Sequence, residues 1–276
     1  MKSSDERMLV ASLKRYAART GVEIGFLSHG WIGIVAGTGK RLLVYGYDLG
    51  LNPSGAARIA NDKSATYEVL TAAGLAAVEH RVFLHPRFLD FVPVDGNWPG
   101  MLAAFEAFAH NAVIKDNEGT GGMEVFRVRS LTELEQRTHQ LFQIARGVAL
   151  SPFLEIEAEL RFVMLDGECV LAYAKERAAG EWRHNLGLGA RAVPRDGSAP
   201  DMQTSLALAQ AAMAALTLRF ASIDVVIVAG KPMVMEANAG VMLEVASRPE
   251  LGGTELADRI YHRALDLALT EPRPKA

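Results

Sequence analysis

Two acidic side chains and one amide near the C-terminus have the types and the spacing of a metal site. Asp224 lies in one apolar run, Glu236 follows twelve positions later in a second apolar run, and Asn238 stands two residues further on. Gly230 to Pro232 predict a turn between the runs, so we expect a β-hairpin. Side chains two positions apart share one face of a strand, and Asp224 can oppose Glu236 and Asn238 across the ladder.

These three side chains favour a hard divalent cation. Carboxylate and amide oxygens are ligands that Mg²⁺ accepts together with phosphate oxygens. Taken alone, Asp224 is more often a solvated residue at a strand end. Three polar side chains inside apolar strands are harder to explain in that way, because an uncompensated buried charge costs several kcal/mol. We therefore predict a Mg²⁺ site at Asp224, Glu236 and Asn238.

A glycine-rich segment follows a lysine at the end of a predicted strand. Lys115 ends the strand that begins at Ala112, and the segment Asn117 to Gly122 comes directly after Asp116. Glycine lets backbone N–H groups point into a loop, so such a loop can close over phosphates. Taken alone, the segment is more often an ordinary hairpin turn.

Composition and charge indicate a globular protein of ordinary surface charge. The chain has 276 residues, 50% hydrophobic content and a formal net charge of −3. Acidic and basic residues are interspersed, so neither nucleic acid nor an anionic membrane is an expected partner. The first residues are charged, and no apolar run is long enough for a signal peptide or a bilayer span. We expect a cytoplasmic protein.

Helix and strand signals predict three parts. Residues 1–60 form a small module with an opening helix and short strands joined by tight turns, residues 61–150 form a small α+β lobe, and residues 151–276 form a C-terminal lobe. The predicted elements after the first module are helices at 66–73, 131–145, 202–219 and 254–269, strands at 78–83, 112–115, 125–128, 159–165 and 168–174, a loop region through 86–100, and the hairpin. Asn61 to Ser64 predict the cap of the helix that stops at Gly74.

The order of these motifs resembles that of the ATP-grasp superfamily. A lysine before a glycine loop is followed by an apolar hinge, and then by Arg161, Arg183 to Asn185, Asp224, and Glu236 with Asn238. The chain is most similar to the branch that contains glutathione synthetases and the ribosomal-protein glutamate ligases, over roughly residues 61–245. The resemblance implies an α+β ATP-grasp fold, in which two α+β lobes clamp ATP, preceded here by a reduced N-terminal α/β module.

The resemblance also implies roles for individual residues. The implied cofactor-binding residues are Lys63, Lys115, Gly119, Thr120, Gly121, Gly122, Pro152, Phe153, Leu154, Glu155, Glu159 and Asn185. The lysines contact the ATP phosphates, residues 119–122 cover them, and residues 152–155 form the adenine hinge. Two Mg²⁺ ions are expected at Asp224, Glu236 and Asn238. Which hinge acid binds the ribose stays open among Glu155, Glu157 and Glu159.

Three cationic residues are the candidate catalytic residues. They are Arg161, Lys175 and Arg183. A planar guanidinium can bind two oxygens at once, so the arginines suit a substrate carboxylate or an acyl phosphate. A surface salt bridge is the default explanation for any one arginine. Lys175 stands where the family commonly has an arginine.

The implied reaction joins a carboxylate to an amine. The carboxylate attacks the γ-phosphate of ATP, and the amine then displaces phosphate from the acyl phosphate. Catalysis of phosphoryl transfer is mainly the placement of positive charge around the phosphate oxygens. The expected substrates are a small carboxylate and an amine, such as an amino acid or a peptide.

Two other functions remain open. One is a nucleotide-binding regulatory or degenerate protein without turnover. Two features suggest it: the small opening module, and residues 239–242 in place of the family's Ser-Pro-Gly. The other is an ATP-grasp phosphotransferase. Because a preceding domain normally helps to build the acceptor site in this superfamily, the small module also suggests that a second subunit or a carrier protein contributes to it.

Overall fold

Three antiparallel sheets follow one another along the chain. The computed structural model describes residues 6–37, 39–88, 97–122, 124–197 and 199–270. Within these ranges the sheets contain three, four and five strands, and neighbouring strands in each sheet run antiparallel. Each helix in the described ranges is too short or too polar to cross a bilayer.

The N-terminal module consists of one helix and the three-stranded sheet. Its elements are α1 (Met8–Thr20), β1 (Glu23–Leu27), β2 (Ile32–Gly37) and β3 (Lys40–Tyr45), with the sheet order β1-β2-β3. Helix α1 ends at Gly21, whose φ of 73° lies in the left-handed region that suits glycine at a helix end. The predicted opening helix and short strands are confirmed.

Two helices connect the module to the second sheet. They are α2 (Ser54–Asn61) and α3 (Lys63–Ala72). The Asp62 side chain accepts a hydrogen bond from the Ala65 N–H at 2.8 Å, which satisfies a free donor at the start of α3. The predicted cap and the end of this helix before Gly74 are confirmed, whereas α2 was not predicted.

The second sheet and two helices form the small lobe. Its elements are β4 (Arg81–Leu84), α4 (Asn97–Ala107), β5 (Ala112–Asp116), β6 (Val125–Val128), α5 (Leu131–Phe142) and β7 (Gly147–Pro152), with the sheet order β4-β7-β5-β6. Its core contains fully buried side chains from both helices and the sheet, including Phe105, Leu134 and Ile114. Burial of this apolar surface holds the helices on the sheet.

The third sheet is the framework of the C-terminal lobe. Its elements are β8 (Ala158–Leu165), β9 (Glu168–Glu176), β10 (Arg191–Pro194), α6 (Gln203–Ala215), β11 (Phe220–Val228) and β12 (Lys231–Asn238), and α7 (Gly253–Thr270) follows them. The sheet order is β10-β9-β8-β11-β12. Strand β11 therefore lies between β8 and β12, and its side chains can contact both neighbours.

Two parts of the chain pack on the C-terminal lobe from outside it. Leu70 of α3 lies in one core with Phe162 and Val234 of the third sheet. The N-terminal module packs on α7, where the Tyr16 hydroxyl donates to Asp266 at 2.6 Å and Arg15 pairs with Asp258. The three-part division remains a proposal, and these contacts favour a small lobe that begins near β4 rather than at residue 61.

Three predicted elements need correction. Residues 86–100 were predicted to be a loop, but Pro86–Phe88 form a 3-10 helix and α4 includes Pro99 and Gly100, while residues 89–96 lie outside the described ranges. Proline is tolerated in a first helical turn, where the N–H groups have no helical partner. The predicted strand at 78–83 begins only at Arg81, because Val78 instead donates to the Val234 carbonyl at 2.8 Å.

The third correction concerns the end of α6. The helix was predicted to reach residue 219, but it ends at Ala215. Thr217 adopts a φ of 52°, its N–H bonds to the Ala214 carbonyl, and the Leu218 N–H bonds to the Met213 carbonyl. This is the Schellman arrangement of a helix end, formed here without the usual glycine.

Candidate active site

The β11–β12 hairpin carries two acids directly opposite each other. Asp224 pairs with Glu236, and Ser222 pairs with Asn238. A β-bulge follows Asp224, where the register shifts before Val225. Such bulges redirect side chains and are frequent beside functional sites. The predicted hairpin, with Asp224 facing the strand of Glu236, is confirmed.

Asp224 lies at the centre of a buried ion cluster. Arg161, its partner on β8, donates through Nε to Oδ1 at 2.6 Å and through Nη2 to Oδ2. Lys175 Nζ donates to Asp224 Oδ2 at 2.8 Å and to Glu159 Oε1 at 2.6 Å. The Asp224 side chain is 1% exposed. Burial by itself raises the pKa of Asp224, but Arg161 and Lys175 outweigh it and hold that pKa well below its ordinary value.

Glu236 and Asn238 face the solvent side of this cluster. The Glu236 side chain is 26% exposed, and its Oε1 lies 3.8 Å from Arg161 Nη2. Asn238 Nδ2 donates to the same oxygen at 3.2 Å. Among the described residues, no group of three acidic, histidine or cysteine side chains is arranged to hold a metal ion. Glu236 and Asn238 do present the oxygen donors that Mg²⁺ prefers, whereas both oxygens of Asp224 are bound by cations of the chain.

The two predicted phosphate lysines lie next to the glycine-rich loop. Lys63, the first residue of α3, donates through Nζ to the Gly119 carbonyl at 2.6 Å and to the Asn117 carbonyl at 3.3 Å. Lys115 on β5 is 8% exposed. Burial, and secondly the charge of Lys63, lower the pKa of Lys115 to about 8. Neither lysine forms an ion pair with a carboxylate of the described ranges, and two such cations close together are suited to an anionic ligand.

The loop also contacts the C-terminal lobe. Asn185 Nδ2 donates to the Gly121 carbonyl at 2.7 Å. Gly122 has a φ of 65°, and a Cβ atom at this position would lie 1.9 Å from Asn185 Nδ2. Only glycine fits this approach without a shift of the loop or of Asn185. The contact therefore joins the glycine-rich loop, which Lys63 also contacts, to the C-terminal lobe.

Arg183 has a partner within its own segment. Its Nη2 lies 2.8 Å from Glu181 Oε2, and its Nη1 donates to the Val125 carbonyl at 3.2 Å. The hydrogen bond from Arg183 lowers the pKa of Glu181 to about 2. The guanidinium lines the same cavity as the loop.

The predicted adenine hinge connects β7 to β8. Phe153 donates its N–H to the Asn111 carbonyl at 2.9 Å, and its ring lies 3.4 Å beneath the guanidinium carbon of Arg127. The Trp182 ring packs beside it, with centroids 5.6 Å apart. Trp182 lines the cavity with Phe153, a role for which the sequence offered no signal beyond an aromatic residue.

A cavity of about 990 Å³ brings most of these residues together. The predicted residues that line it are Lys63, Lys115, Gly119, Thr120, Gly121, Gly122, Pro152, Phe153, Leu154, Glu159, Arg161, Lys175, Arg183, Asn185, Glu236 and Asn238. Asp224 lies behind Arg161 and Lys175, and Glu155 is exposed outside the lining. The assigned roles of all these residues stay predictions.

One end of this cavity is lined by residues that were not predicted as site residues. Arg7, Trp31 and Tyr47 of the N-terminal module line it, together with Met242 and Glu244 after β12. Met242 belongs to the segment that replaces the family's Ser-Pro-Gly, whereas Arg7, Trp31 and Tyr47 lie in no recognisable motif. The sequence signal for Trp31 and Tyr47 was limited to their being aromatic residues, which are enriched at binding interfaces.

A family model and curated relatives match this chain. The family model described as a RimK-like ATP-grasp domain matches residues 101–263. A glutathione synthetase of Prochlorococcus marinus (strain MIT 9313) is 29% identical over 173 residues, which cover 59% of this chain and 53% of that protein. A probable alpha-L-glutamate ligase of Xanthomonas oryzae pv. oryzae (strain MAFF 311018) is 30% identical over 203 residues, which cover 70% of this chain and 61% of that protein. The chain thus matches little more than half the length of these curated relatives.

Solved structures of ATP-grasp ligases have a similar fold. The D-alanine–D-alanine ligase from Bacillus anthracis, in complex with ATP, aligns with a TM-score of 0.58 and 17% identity, over 79% of this chain and 70% of that chain. At this identity the likeness concerns the fold alone.

Proposed function

This chain belongs to the RimK-like ATP-grasp family, and we propose that it is an ATP-dependent carboxylate–amine ligase that forms a C–N bond through an acyl phosphate. The predicted α+β ATP-grasp fold is confirmed by the family match and by the solved relative. One observation carries the proposal: Lys63, Lys115, the glycine-rich loop and Glu236 all line one cavity.

ATP is the proposed cofactor, with its base beside Phe153 and its phosphates beside Lys63 and Lys115. The base stacks in the apolar part of the cavity, where Phe153 and Trp182 form a wall. The two lysines supply the positive charge that the phosphates need, and Lys63 exchanges its loop carbonyls for phosphate oxygens. The glycine-rich loop then covers the phosphates with its backbone N–H groups.

Mg²⁺ is the second proposed cofactor. Glu236 and Asn238 would supply protein oxygens to this ion, and Asp224 would add a third only after Arg161 and Lys175 released its carboxylate oxygens. When bound, the ion draws negative charge from the phosphate oxygens as the γ-phosphoryl group is transferred. The sequence predicts two ions, and Asp224 would be a ligand of the second one.

The remaining cations act on the reacting groups. Arg161 and Arg183 orient the substrate carboxylate, whose oxygen attacks the γ-phosphorus of ATP, so that ADP leaves and an acyl phosphate forms. The amine nitrogen then attacks the acyl carbon, the bond from that carbon to the phosphate oxygen breaks, and inorganic phosphate leaves with the shed proton taken up by water. Both guanidinium groups already pair with a carboxylate of the chain, Arg161 with Asp224 and Arg183 with Glu181, so each would bind the substrate through its remaining N–H groups and would reorganise little.

The proposed substrates are a small carboxylate and an amine, such as an amino acid or a short peptide. The proposed compartment is the cytoplasm. A second subunit or a carrier protein remains a proposed partner, and measurement of the mass in solution tests the former. Active monomers on small substrates would remove the need for either partner.

A nucleotide-binding protein without turnover is the second candidate. The observation that favours it is the position of Asp224, both of whose oxygens are bound by Arg161 and Lys175. If that cluster never opens, nucleotide can bind while phosphoryl transfer fails. Binding of ATP without ADP release from any acid and amine pair would support this candidate.

A screen of ADP release tests the ligase proposal. Amino acids and short peptides are combined in pairs with ATP and Mg²⁺, and the joined product is detected by mass. We expect at least one pair to give ADP together with a product lighter by one water than the sum of its substrates. Glu236→Gln should abolish this release, whereas Glu250→Gln, at an exposed position outside the cavity, should leave it unchanged.

A further inference from the structure

The end of the cavity that faces the N-terminal module carries an unpaired negative charge. Glu244 Oε1 accepts hydrogen bonds from the Tyr47 hydroxyl and from the Met8 N–H, the latter at 3.3 Å. Its other oxygen, Oε2, is buried and has no hydrogen-bond partner. Within the described ranges, no lysine, arginine or histidine forms an ion pair with Glu244. A partly buried carboxylate of this kind favours a ligand that brings a positive N–H donor.

The Arg7 guanidinium lies near Glu244, and it has no acidic partner among the residues that the structure describes. The Arg7 guanidinium lies 4.6 Å from the Trp31 ring centroid and 5.2 Å from the Tyr47 ring centroid. It donates to the Gly46 carbonyl at 3.0 Å and to the Gly30 carbonyl. These contacts fix its orientation, but rings and carbonyls do not neutralise it. No acidic side chain of the described part of the chain pairs with Arg7.

Tyr47 contacts both charged residues and lies close to the segment that follows β12. Its ring contacts Arg7, and its hydroxyl donates to Glu244. Burial, and secondly the bond to Glu244, raise the pKa of this hydroxyl, so it remains a donor. The Tyr47 Cβ lies 3.6 Å from the position of a Cβ added to Gly240, two residues after Asn238. Tyr47 therefore lies beside the segment that follows the proposed Mg²⁺ ligands, and the two charged residues line the same cavity as those ligands.

We propose that Glu244, Arg7 and Tyr47 form the acceptor subsite, and that the acceptor is a zwitterion whose amine binds Glu244 and whose carboxylate binds Arg7. The inference rests on the proposed ligase function and specifies its second substrate. A molecule with one amine and one carboxylate matches two opposite charges that contact the same tyrosine, Arg7 at the ring and Glu244 at the hydroxyl. The subsite binds and orients the acceptor, whose ammonium gives one proton to water before its nitrogen attacks the acyl carbon. The reduced N-terminal module thus supplies the acceptor site itself.

Hydroxylamine separates this subsite from the activation of the acid. It is small and uncharged at neutral pH, and it converts an acyl phosphate into a hydroxamate without a binding site for an amino acid. In a first screen, each of the twenty proteinogenic amino acids is the acid and hydroxylamine is the acceptor. In a second screen, the acid that reacts best is kept and each amino acid is offered as the acceptor. Glu244→Gln should raise the KM for the amino-acid acceptor about tenfold or more, because a hydrogen bond between charged groups is worth at least that factor. The rate of hydroxamate formation should stay within about twofold of wild type, since the variant leaves the phosphate end of the cavity intact.

Arg7→Met tests the other half of the subsite. It should raise the KM for the amino acid about tenfold, and it should leave the KM for the corresponding amino-acid amide within about twofold, because the amide has no carboxylate for Arg7 to bind. Glu250→Gln and Arg248→Met are the matched controls, since both side chains are exposed and neither lines the cavity. Tyr47→Phe keeps the ring and should raise the KM in the same direction as Glu244→Gln.

Each outcome bears on one of the two proposals. If wild-type protein forms no hydroxamate with any acid, the ligase function fails and the subsite with it. If wild-type protein forms hydroxamate, an unchanged KM for the amino-acid acceptor in Glu244→Gln and Arg7→Met overturns the subsite alone. The subsite is also overturned if the variants lose hydroxamate formation and formation of the product with the amino-acid acceptor to the same extent. Should either variant lose its thermal unfolding transition, Tyr47→Phe decides by the same comparison.

Discussion

Arg161 on β8 lies directly opposite Asp224 on β11 and binds both oxygens of its carboxylate. Lys175 adds a third bond to the same group, so the most buried acid of the site is neutralised by the chain itself. Asp224 is therefore part of the core of the C-terminal lobe as well as a predicted metal ligand. A substitution there affects folding and function together, whereas Glu236 can be changed with less effect on the fold.

Asp224→Asn should reduce the free energy of unfolding by about 3 kcal/mol, because it leaves Arg161 and Lys175 buried without their shared anion. Urea denaturation measures this loss. Glu236→Gln is the matched control, since its side chain is 26% exposed and its ion contact is long at 3.8 Å. We expect it to change the stability by less than about 1 kcal/mol. Equal losses in the two variants would show that the cluster around Asp224 does not hold the lobe together.

The affinity for ATP should fall as the pH rises through about 8, the pKa of Lys115 in the free protein. The pKa is lowered from its ordinary value, so Lys115 is charged below pH 8 and neutral above it. A neutral amine no longer attracts phosphate, and the dissociation constant should then rise by up to about tenfold per pH unit. Calorimetric titration of ATP between pH 6.5 and 9.5 measures the effect.

Lys115→Met should bind ATP more weakly at pH 7 and should lack this rise near pH 8. Lys231→Met, at an exposed position in the hairpin turn, should retain the wild-type pH profile. A rise of the same size in Lys115→Met would assign the titration to another group.

Gly122→Ala should weaken ATP binding about tenfold or more, since the added Cβ would lie 1.9 Å from Asn185 Nδ2 and must displace the loop or Asn185, which breaks the contact between them. Gly121→Ala is the matched control. Gly121 also has a positive φ, 76°, but a Cβ there would meet no atom within 4 Å. Both variants share a backbone strain of about 1 kcal/mol, so the difference between them measures the contact with Asn185. Binding constants that fall equally would argue against that contact.

The sequence predicted the local elements better than the contacts between distant ones. The hairpin could be predicted because β-branched residues flank a glycine turn, and Asp62 could be recognised as a helix cap from its type and position. The pairing of Arg161 with Asp224 depends on β8 lying beside β11, across 63 residues of chain, and no spacing rule supplies that neighbour. The end of α6 escaped prediction because Thr217 takes the left-handed position that usually belongs to glycine. Arg7 and Glu244 meet around Tyr47 only in the folded chain, where the first and last parts of the sequence pack together.

The origin of the oxygen in released phosphate tests the central claim most directly. The acid found in the screen is labelled with ¹⁸O in its carboxylate, and the phosphate formed during turnover with the amine is analysed by mass. An acyl phosphate intermediate predicts that each phosphate carries one oxygen from the acid, because the bond from carbon to that oxygen breaks when the amine attacks. Phosphate without the label, formed together with the joined product, would contradict the proposed mechanism.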